Sequence, residues 1–106
     1  MEKFILVLTT VPSKKTGHEI ARVLVGERLA ACVTQSSACQ SLYWWKDNIS
    51  QDEEYMLYIK TKSSLYSELE EKIRELHPYE VPEIIALPFI KGHNEYLRWI
   101  DRETKG

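Results

Sequence analysis

The sequence predicts one α+β domain that spans all 106 residues. Apolar residues recur first with the period of strands and then with the period of helices, in the order β-α-β-β-α-β, before a short terminal helix. The length fits a single domain, since domains commonly have ~100–150 residues. Because β-α-β crossovers are right-handed, both main helices should cover the same face of a four-stranded sheet. We therefore expect a ferredoxin-like sandwich with an extra C-terminal helix.

The first half of the chain predicts a strand and a helix. The continuous apolar run over residues 4–8 is typical of a strand that is covered on both faces, and Pro12 and Ser13 end it. Thr16-Gly17-His18-Glu19 has the form of a helix N-terminal capping box. The apolar stripe over residues 20–25 then predicts a helix that ends near Gly26.

The middle of the chain predicts a long antiparallel hairpin. A β-rich stretch over residues 30–43 leads to a turn at Asp47-Asn48, because both residue types tolerate positive φ. The return strand alternates clearly over residues 55–60, with odd-numbered side chains on one face and even-numbered side chains on the other. These strands exceed the usual ~5–6 residues, so aromatic side chains near the tip should extend beyond the domain that could cover them.

The last third predicts a helix, a strand and a second short helix. Ser63-Ser64 should cap a helix whose apolar side chains recur at helical spacing until Pro78 ends it. Residues 83–87 predict the fourth strand, and Asn94 should cap a terminal helix. The sheet face opposite the two main helices is then left open, and large apolar patches are rare on monomers. A second copy of the chain is the expected cover.

Composition excludes several classes of protein. The chain has 14 Lys or Arg and 16 Asp or Glu, so it lacks the basic footprint that nucleic-acid binding requires. Its longest charge-free apolar run, residues 4–11, is far shorter than the ~20 residues that cross a bilayer. No cleavage pattern follows Met1-Glu2-Lys3. We therefore expect a cytoplasmic protein with no membrane or nucleic-acid partner.

Two clusters of residues could carry function. In the segment 77–83, two prolines stiffen the backbone, and His77 with Glu80 and Glu83 could present an imidazole and carboxylates to a divalent cation. The sequence by itself favours a structural role, in which His77 caps helix carbonyls and Tyr79 packs, because metal sites usually need three or four protein ligands.

The second cluster is aromatic. Side chains alternate along a strand, so at least one ring of Tyr43-Trp44-Trp45 must point outward. Trp and Tyr dominate interface hot spots, and we expect these three residues, with Trp99, to form a subunit interface. Base stacking is the alternative, but no basic groove accompanies the rings.

Six segments of the chain together form one recognisable pattern. They are Leu8-Thr9-Thr10-Val11-Pro12, Leu29-Ala30-Ala31-Cys32-Val33, Ser41-Leu42-Tyr43-Trp44-Trp45, Ile59-Lys60-Thr61, His77-Pro78-Tyr79-Glu80-Val81-Pro82-Glu83-Ile84-Ile85 and Tyr96-Leu97-Arg98-Trp99-Ile100. This pattern resembles the CutA family of divalent-cation tolerance proteins. The resemblance implies a ferredoxin-like fold in a tight homotrimer with paired edge strands, a link to copper and other divalent cations, and a shape similar to the trimeric PII signalling proteins.

The chain departs from the family pattern at two places. Asp47-Asn48 stands where the family usually has Gly in the hairpin turn. In the branch with assigned copper ligands, these resemble a Cys late in the first strand and two adjacent His. Here Thr9 and Leu76 occupy two of those positions and only His77 matches.

The expected function is a non-enzymatic homotrimer that binds a divalent cation, Cu²⁺ or Zn²⁺, or a small ligand at clefts between subunits. The candidate metal ligands are His77 and Glu83, and the candidate cleft residues are Lys60, Tyr79 and Trp45. One alternative is a PII-like sensor of an anion or nucleotide, with charge from Lys60 or Arg98. Another is an acylphosphatase-like hydrolase, although the first strand–helix turn has no Arg to hold a phosphoryl group.

Overall fold

The computed structural model describes residues 4–106, so Met1-Glu2-Lys3 and the expectation that depends on them lie outside the described residues. Strands and helices follow one another in the predicted order. They are β1 Phe4–Val11, α1 Lys14–Gly26, β2 Cys32–Trp45, β3 Asn48–Lys62, α2 Tyr66–Leu76, β4 Ile85–Pro88 and α3 Asn94–Glu103.

The four strands form one sheet in the order β2-β3-β1-β4, and every neighbouring pair is antiparallel. In the register at its centre, Val7 lies opposite Ile59 on one side and Ala86 on the other. The predicted α+β class with an antiparallel four-stranded sheet is confirmed. The long strand β2 and the short strand β4 are its two edges.

The hydrophobic core lies between the sheet and the helices α1 and α2. Odd-numbered side chains of β1 and β3 face these helices, as the alternation over residues 55–60 predicts. Burial of each large aliphatic side chain is worth about 1.5–3 kcal/mol. The main contributors are Ile5, Val7, Val11, Ile20, Leu24, Leu57, Ile59, Leu69 and Ile73.

The hairpin of β2 and β3 is as long as expected. Its strands have 14 and 15 residues, and their register runs from Cys32 opposite Lys60 to Trp45 opposite Asn48. The turn itself is Lys46-Asp47, with φ of 50° and 67°, one residue earlier than predicted. A two-residue turn with positive φ at both positions matches the twist of a hairpin. Asn48 instead begins β3, and its side chain bonds the Lys46 carbonyl.

Three predicted helix caps were wrong. Helix α1 begins earlier, because the Ser13 side chain accepts the Thr16 backbone N–H at 3.1 Å, which places Thr16 inside the first turn. Gly17 in the same turn packs against Val11 and Gln35, so a Cβ there would require these side chains to shift. A 3-10 turn over Ser63–Leu65 precedes α2, and α3 has His93 at its N-cap position; neither helix has a side-chain cap. The helices therefore begin at Lys14, Tyr66 and Asn94, and only the first of them begins with a side-chain cap.

The face of the sheet opposite α1 and α2 is partly covered by α3. The buried Lys62 holds this helix with an ion pair of 3.1 Å to Asp101. The even-numbered positions of β1 and their neighbours on β4 share this face, and Tyr58, Ile85 and Leu87 remain exposed there. The open face therefore exists as predicted, apart from the area under α3.

Among residues 4–106, none of the helices has the length and apolar character to cross a bilayer.

Candidate functional site

A groove of about 660 Å³ lies between the hairpin and the loop that joins α2 to β4. His77 ends α2 with extended backbone, φ −79° and ψ 134°, because a residue before proline avoids the helical region. The chain then runs past the hairpin instead of continuing the helix. The lining residues are Thr10, Ser41, Leu42, Tyr43, Trp45, Glu54, Pro78, Tyr79, Glu80, Val81 and Glu83.

His77 fastens this loop to the end of β1. Its side chain is buried; Nδ1 accepts the Tyr79 backbone N–H at 3.1 Å, and Nε2 lies 2.7 Å from the Thr10 carbonyl oxygen. A carbonyl only accepts, so Nε2 carries the hydrogen. The partner is thus a strand carbonyl and not the helix carbonyls that the structural alternative predicted. Both ring nitrogens are engaged within the chain.

Tyr79 connects the loop to β3 through a buried carboxylate. Its hydroxyl donates to Glu54 Oε2 at 2.7 Å, and Glu54 is only 4% exposed. Burial first, and then this hydrogen bond, raise the pKa of Tyr79 well above its ordinary value. The Tyr43 hydroxyl donates to Asp52, and this bond is the main cause that raises the pKa of Tyr43.

The raised pKa of Tyr79 predicts a loss of stability in alkali. The pKa of tyrosine in the unfolded chain is about 10, and the pKa of Tyr79 in the folded chain is higher. The contribution of protonated Tyr79 to the free energy of unfolding is therefore complete below that pH and is lost as pH rises through the folded pKa. We expect the free energy of unfolding to fall less steeply above pH ~10 for Tyr79→Phe than for wild type. Denaturant titrations across that range measure the slopes, and equal slopes would contradict the prediction.

The groove is acidic. Glu54, Glu80 and Glu83 line it, and its lining within residues 4–106 includes no Lys, Arg or His. Such a site favours positive charge. However, the described part of the chain contains no group of three or more His, Cys, Asp or Glu placed to hold a metal ion. With both nitrogens of His77 in use, the residues of one chain do not fit a metal site of their own.

The structure brings together some of the predicted site residues. Trp45, Tyr79 and Glu83 line the groove, and the ring of His77 lies against that of Tyr79 at 4.7 Å between centroids. Lys60 is outside the lining; its Nζ donates to Thr34 Oγ1 at 2.7 Å. Sequence reasoning missed Glu54. The hairpin register was the available signal, since it places Glu54 on the same face as Tyr58 and Lys60.

The two remaining positions of the copper pattern hold residues in different surroundings. Thr9 is fully buried, and its hydroxyl has no hydrogen-bond partner among the described residues. Leu76, the last residue of α2, is exposed. Neither side chain is a ligand of the kind that copper prefers.

The predicted interface residues are exposed on both faces of the ribbon, the outer part of the hairpin over residues 40–53. Trp44 is 71% exposed and pairs across the strands with Ile49, which is 61% exposed. Tyr43 and Trp45 point to the other face and line the groove. Trp99 lies away from the ribbon, stacked on Tyr96 at 5.6 Å between ring centroids.

Fold and groove together define the class of protein: a small antiparallel α+β domain with a long aromatic hairpin and an acidic, ligand-sized groove. Residues 5–103 match the profile of the family described as CutA1 divalent ion tolerance protein. The chain belongs to this family, as the six sequence segments indicated.

Comparisons with individual relatives support this family assignment. A divalent-cation tolerance protein CutA from Thermus thermophilus is 44% identical over 99 residues, covering 93% of this chain and 96% of that protein. Its solved structure has a TM-score of 0.93 and covers 99% of this chain and 100% of that chain. The crystal structure of CutA1 from Oryza sativa has a TM-score of 0.95 at 41% identity, and the match covers 97% of this chain and 94% of that chain.

Other relatives are longer. Human Protein CutA is 46% identical over 96 residues, which are 91% of this chain but 54% of that protein. The chain thus spans about half the length of its mammalian and plant relatives, the latter including Protein CutA 1, chloroplastic, from rice.

Proposed function

We propose that this chain is a ferredoxin-like subunit of a non-enzymatic, cytoplasmic homotrimer that acts in divalent-cation tolerance. The trimer binds a divalent cation or a small ligand in clefts between its subunits. Family membership supports the link to cations, because both the matched family and the Thermus relative are described by divalent-ion tolerance.

The observation that carries the assembly is the exposed apolar surface of one chain. The ribbon carries Trp44, Leu42 and Ile49 on one face, all more than 60% exposed, and the open sheet face adds Ile85 and Leu87. By register these are two apolar patches on opposite faces of the sheet, and exposed apolar patches mark interaction sites on soluble proteins. Every copy of the chain carries the same apolar surfaces, so each copy can cover those of another. This favours a closed homo-oligomer.

Light scattering coupled to size exclusion tests the assembly. We expect a particle with three times the 12.4 kDa mass of the chain, stable on dilution to micromolar concentration. A particle of 12.4 kDa at that concentration would contradict the proposal.

The groove supports the ligand part of the proposal by its charge. Three carboxylates and no basic side chain in the described lining select against an anion. Since one chain lacks a complete set of metal ligands, a divalent cation would need groups from more than one subunit.

One observation favours the PII-like alternative. A shallow concavity on α3 has two arginines and one carboxylate in its lining, so its balance of fixed charge favours an anion. It is lined by His93, Glu95, Tyr96, Arg98, Trp99 and Arg102, and Glu95 lies 3.7 Å from His93. A nucleotide that raised the melting temperature in a thermal-shift screen would support that function.

A further inference from the structure

The groove has the size of a small-molecule site. Its volume of about 660 Å³ lies within the ~300–1,000 Å³ of typical ligand pockets. A bare ion would leave most of this space to water, since one water occupies ~30 Å³. A ligand that filled the groove would therefore be a molecule with several heavy atoms.

The charge of the groove favours a positively charged ligand. Glu54, Glu80 and Glu83 contribute carboxylates, and in the range that the structure describes the lining contains no cationic side chain to balance them. A neutral or anionic molecule would leave the carboxylates facing a desolvated surface, which is unfavourable.

Glu54 shows where the positive charge would lie. This carboxylate is 4% exposed and borders the groove, and Oε2 accepts from the Tyr79 hydroxyl. Its other oxygen, Oε1, has no hydrogen-bonded donor among residues 4–106. A charged N–H donor forms a stronger bond with such an oxygen than a neutral donor does. An ammonium or guanidinium group is thus the natural partner.

The aromatic walls suit the rest of an organic cation. Tyr43, Trp45 and Tyr79 line the groove and offer apolar area for an alkyl chain and ring faces for a positive charge. Lys46 is outside the lining, but its Nζ lies 5.9 Å from the centroid of Trp45, so a ligand cation would share this wall with a lysine.

We infer that the groove binds a small organic cation of the alkylammonium class, with its nitrogen at Glu54 Oε1 and its carbon chain along Trp45 and Tyr43. This inference rests on the small-ligand role in the proposed function and names the class of ligand. A metal ion in the same groove, or a basic side chain of a second copy, is a different occupant and an outcome of the test.

Calorimetric titration with cadaverine, a linear diamine, tests the inference on the assembled protein. We expect saturable binding and a rise in melting temperature with cadaverine, and neither with pentanediol, its uncharged counterpart. Glu54→Gln keeps the shape and removes the charge, and should weaken binding by about tenfold or more. Glu71→Gln, on the exposed face of α2, is the matched control and should bind as wild type does.

Several outcomes would overturn the inference. These are equal binding of cadaverine and pentanediol, equal binding by Glu54→Gln and wild type, or no binding of cadaverine at all. If Glu54→Gln fails to fold, Glu83→Gln at an exposed groove position tests the charge of the groove instead, and unchanged binding by that variant would likewise contradict the inference. Binding of ZnCl₂ but not cadaverine identifies a metal groove, and binding of neither by an intact trimer indicates a groove filled by a second copy. The mass of the particle, measured on the same sample, tests the trimer separately.

Discussion

Replacing Trp44 by alanine is expected to break the proposed trimer into smaller species and to lower the melting temperature by roughly 8–16 °C. Trp44 is 71% exposed in one chain and contacts Ile49 across the strands, so its indole has little cover within its own chain. Trp side chains at interface centres commonly contribute about 2 kcal/mol or more. At ~4–8 °C per kcal/mol for a domain of this size, that loss corresponds to roughly 8–16 °C. Light scattering and thermal unfolding at fixed protein concentration measure both effects.

Val25→Ala is the control for this variant. Val25 is an exposed apolar residue on α1, on the opposite side of the molecule's core from the open sheet face. We expect this variant to keep the mass and melting temperature of wild type. If Trp44→Ala behaved in the same way, the ribbon would not be an assembly surface.

Replacing His77 by alanine is expected to lower the free energy of unfolding by about 2–4 kcal/mol, with no metal present. The change removes the donor to the Thr10 carbonyl and the acceptor for the Tyr79 N–H, and it leaves a cavity where the imidazole was buried. Denaturant unfolding in buffer with a chelator measures the loss. His93→Ala, which removes an exposed imidazole, should cost far less.

The same variant distinguishes a structural role of His77 from a role as a metal ligand. If His77 only fastens the loop, calorimetric titrations with Cu²⁺ and Zn²⁺ should give similar curves for wild type and folded His77→Ala. Destabilisation that appeared only when metal was supplied, together with lost metal binding, would instead make His77 a ligand.

The order of elements and the core could be predicted because their signals are local. Runs such as residues 4–8 and the alternation over residues 55–60 depend only on which face of a strand or helix is buried. Helix starts were less predictable, since capping residues occur at neighbouring positions. Both Ser13 and Thr16 suit an N-cap, and the path of the chain out of β1 decides for Ser13.

The site was only partly predictable for a similar reason. The stiff segment around Pro78 indicated Tyr79 and Glu83 directly, and the aromatic cluster indicated Trp45. Glu54 is different, because its burial depends on a bond to Tyr79 that lies 25 residues further along the chain. Lys60 shares the face of Glu54 but lies further along β3, beside Thr34 and outside the groove.

The order β2-β3-β1-β4 leaves a sheet with two unlike free borders, a 14-residue strand on one side and a 4-residue strand on the other. Two unlike edges of this kind can join head to tail, with the long edge of one molecule against the short edge of the next. If the rotation between successive molecules closes, the product is a ring; otherwise it is an open filament. The bulge between Gln35 and Ala38 bends the longer border and so contributes to that rotation. If copies join in this way, mutations near the bulge are expected to change whether the assembly closes as well as how stable the fold is.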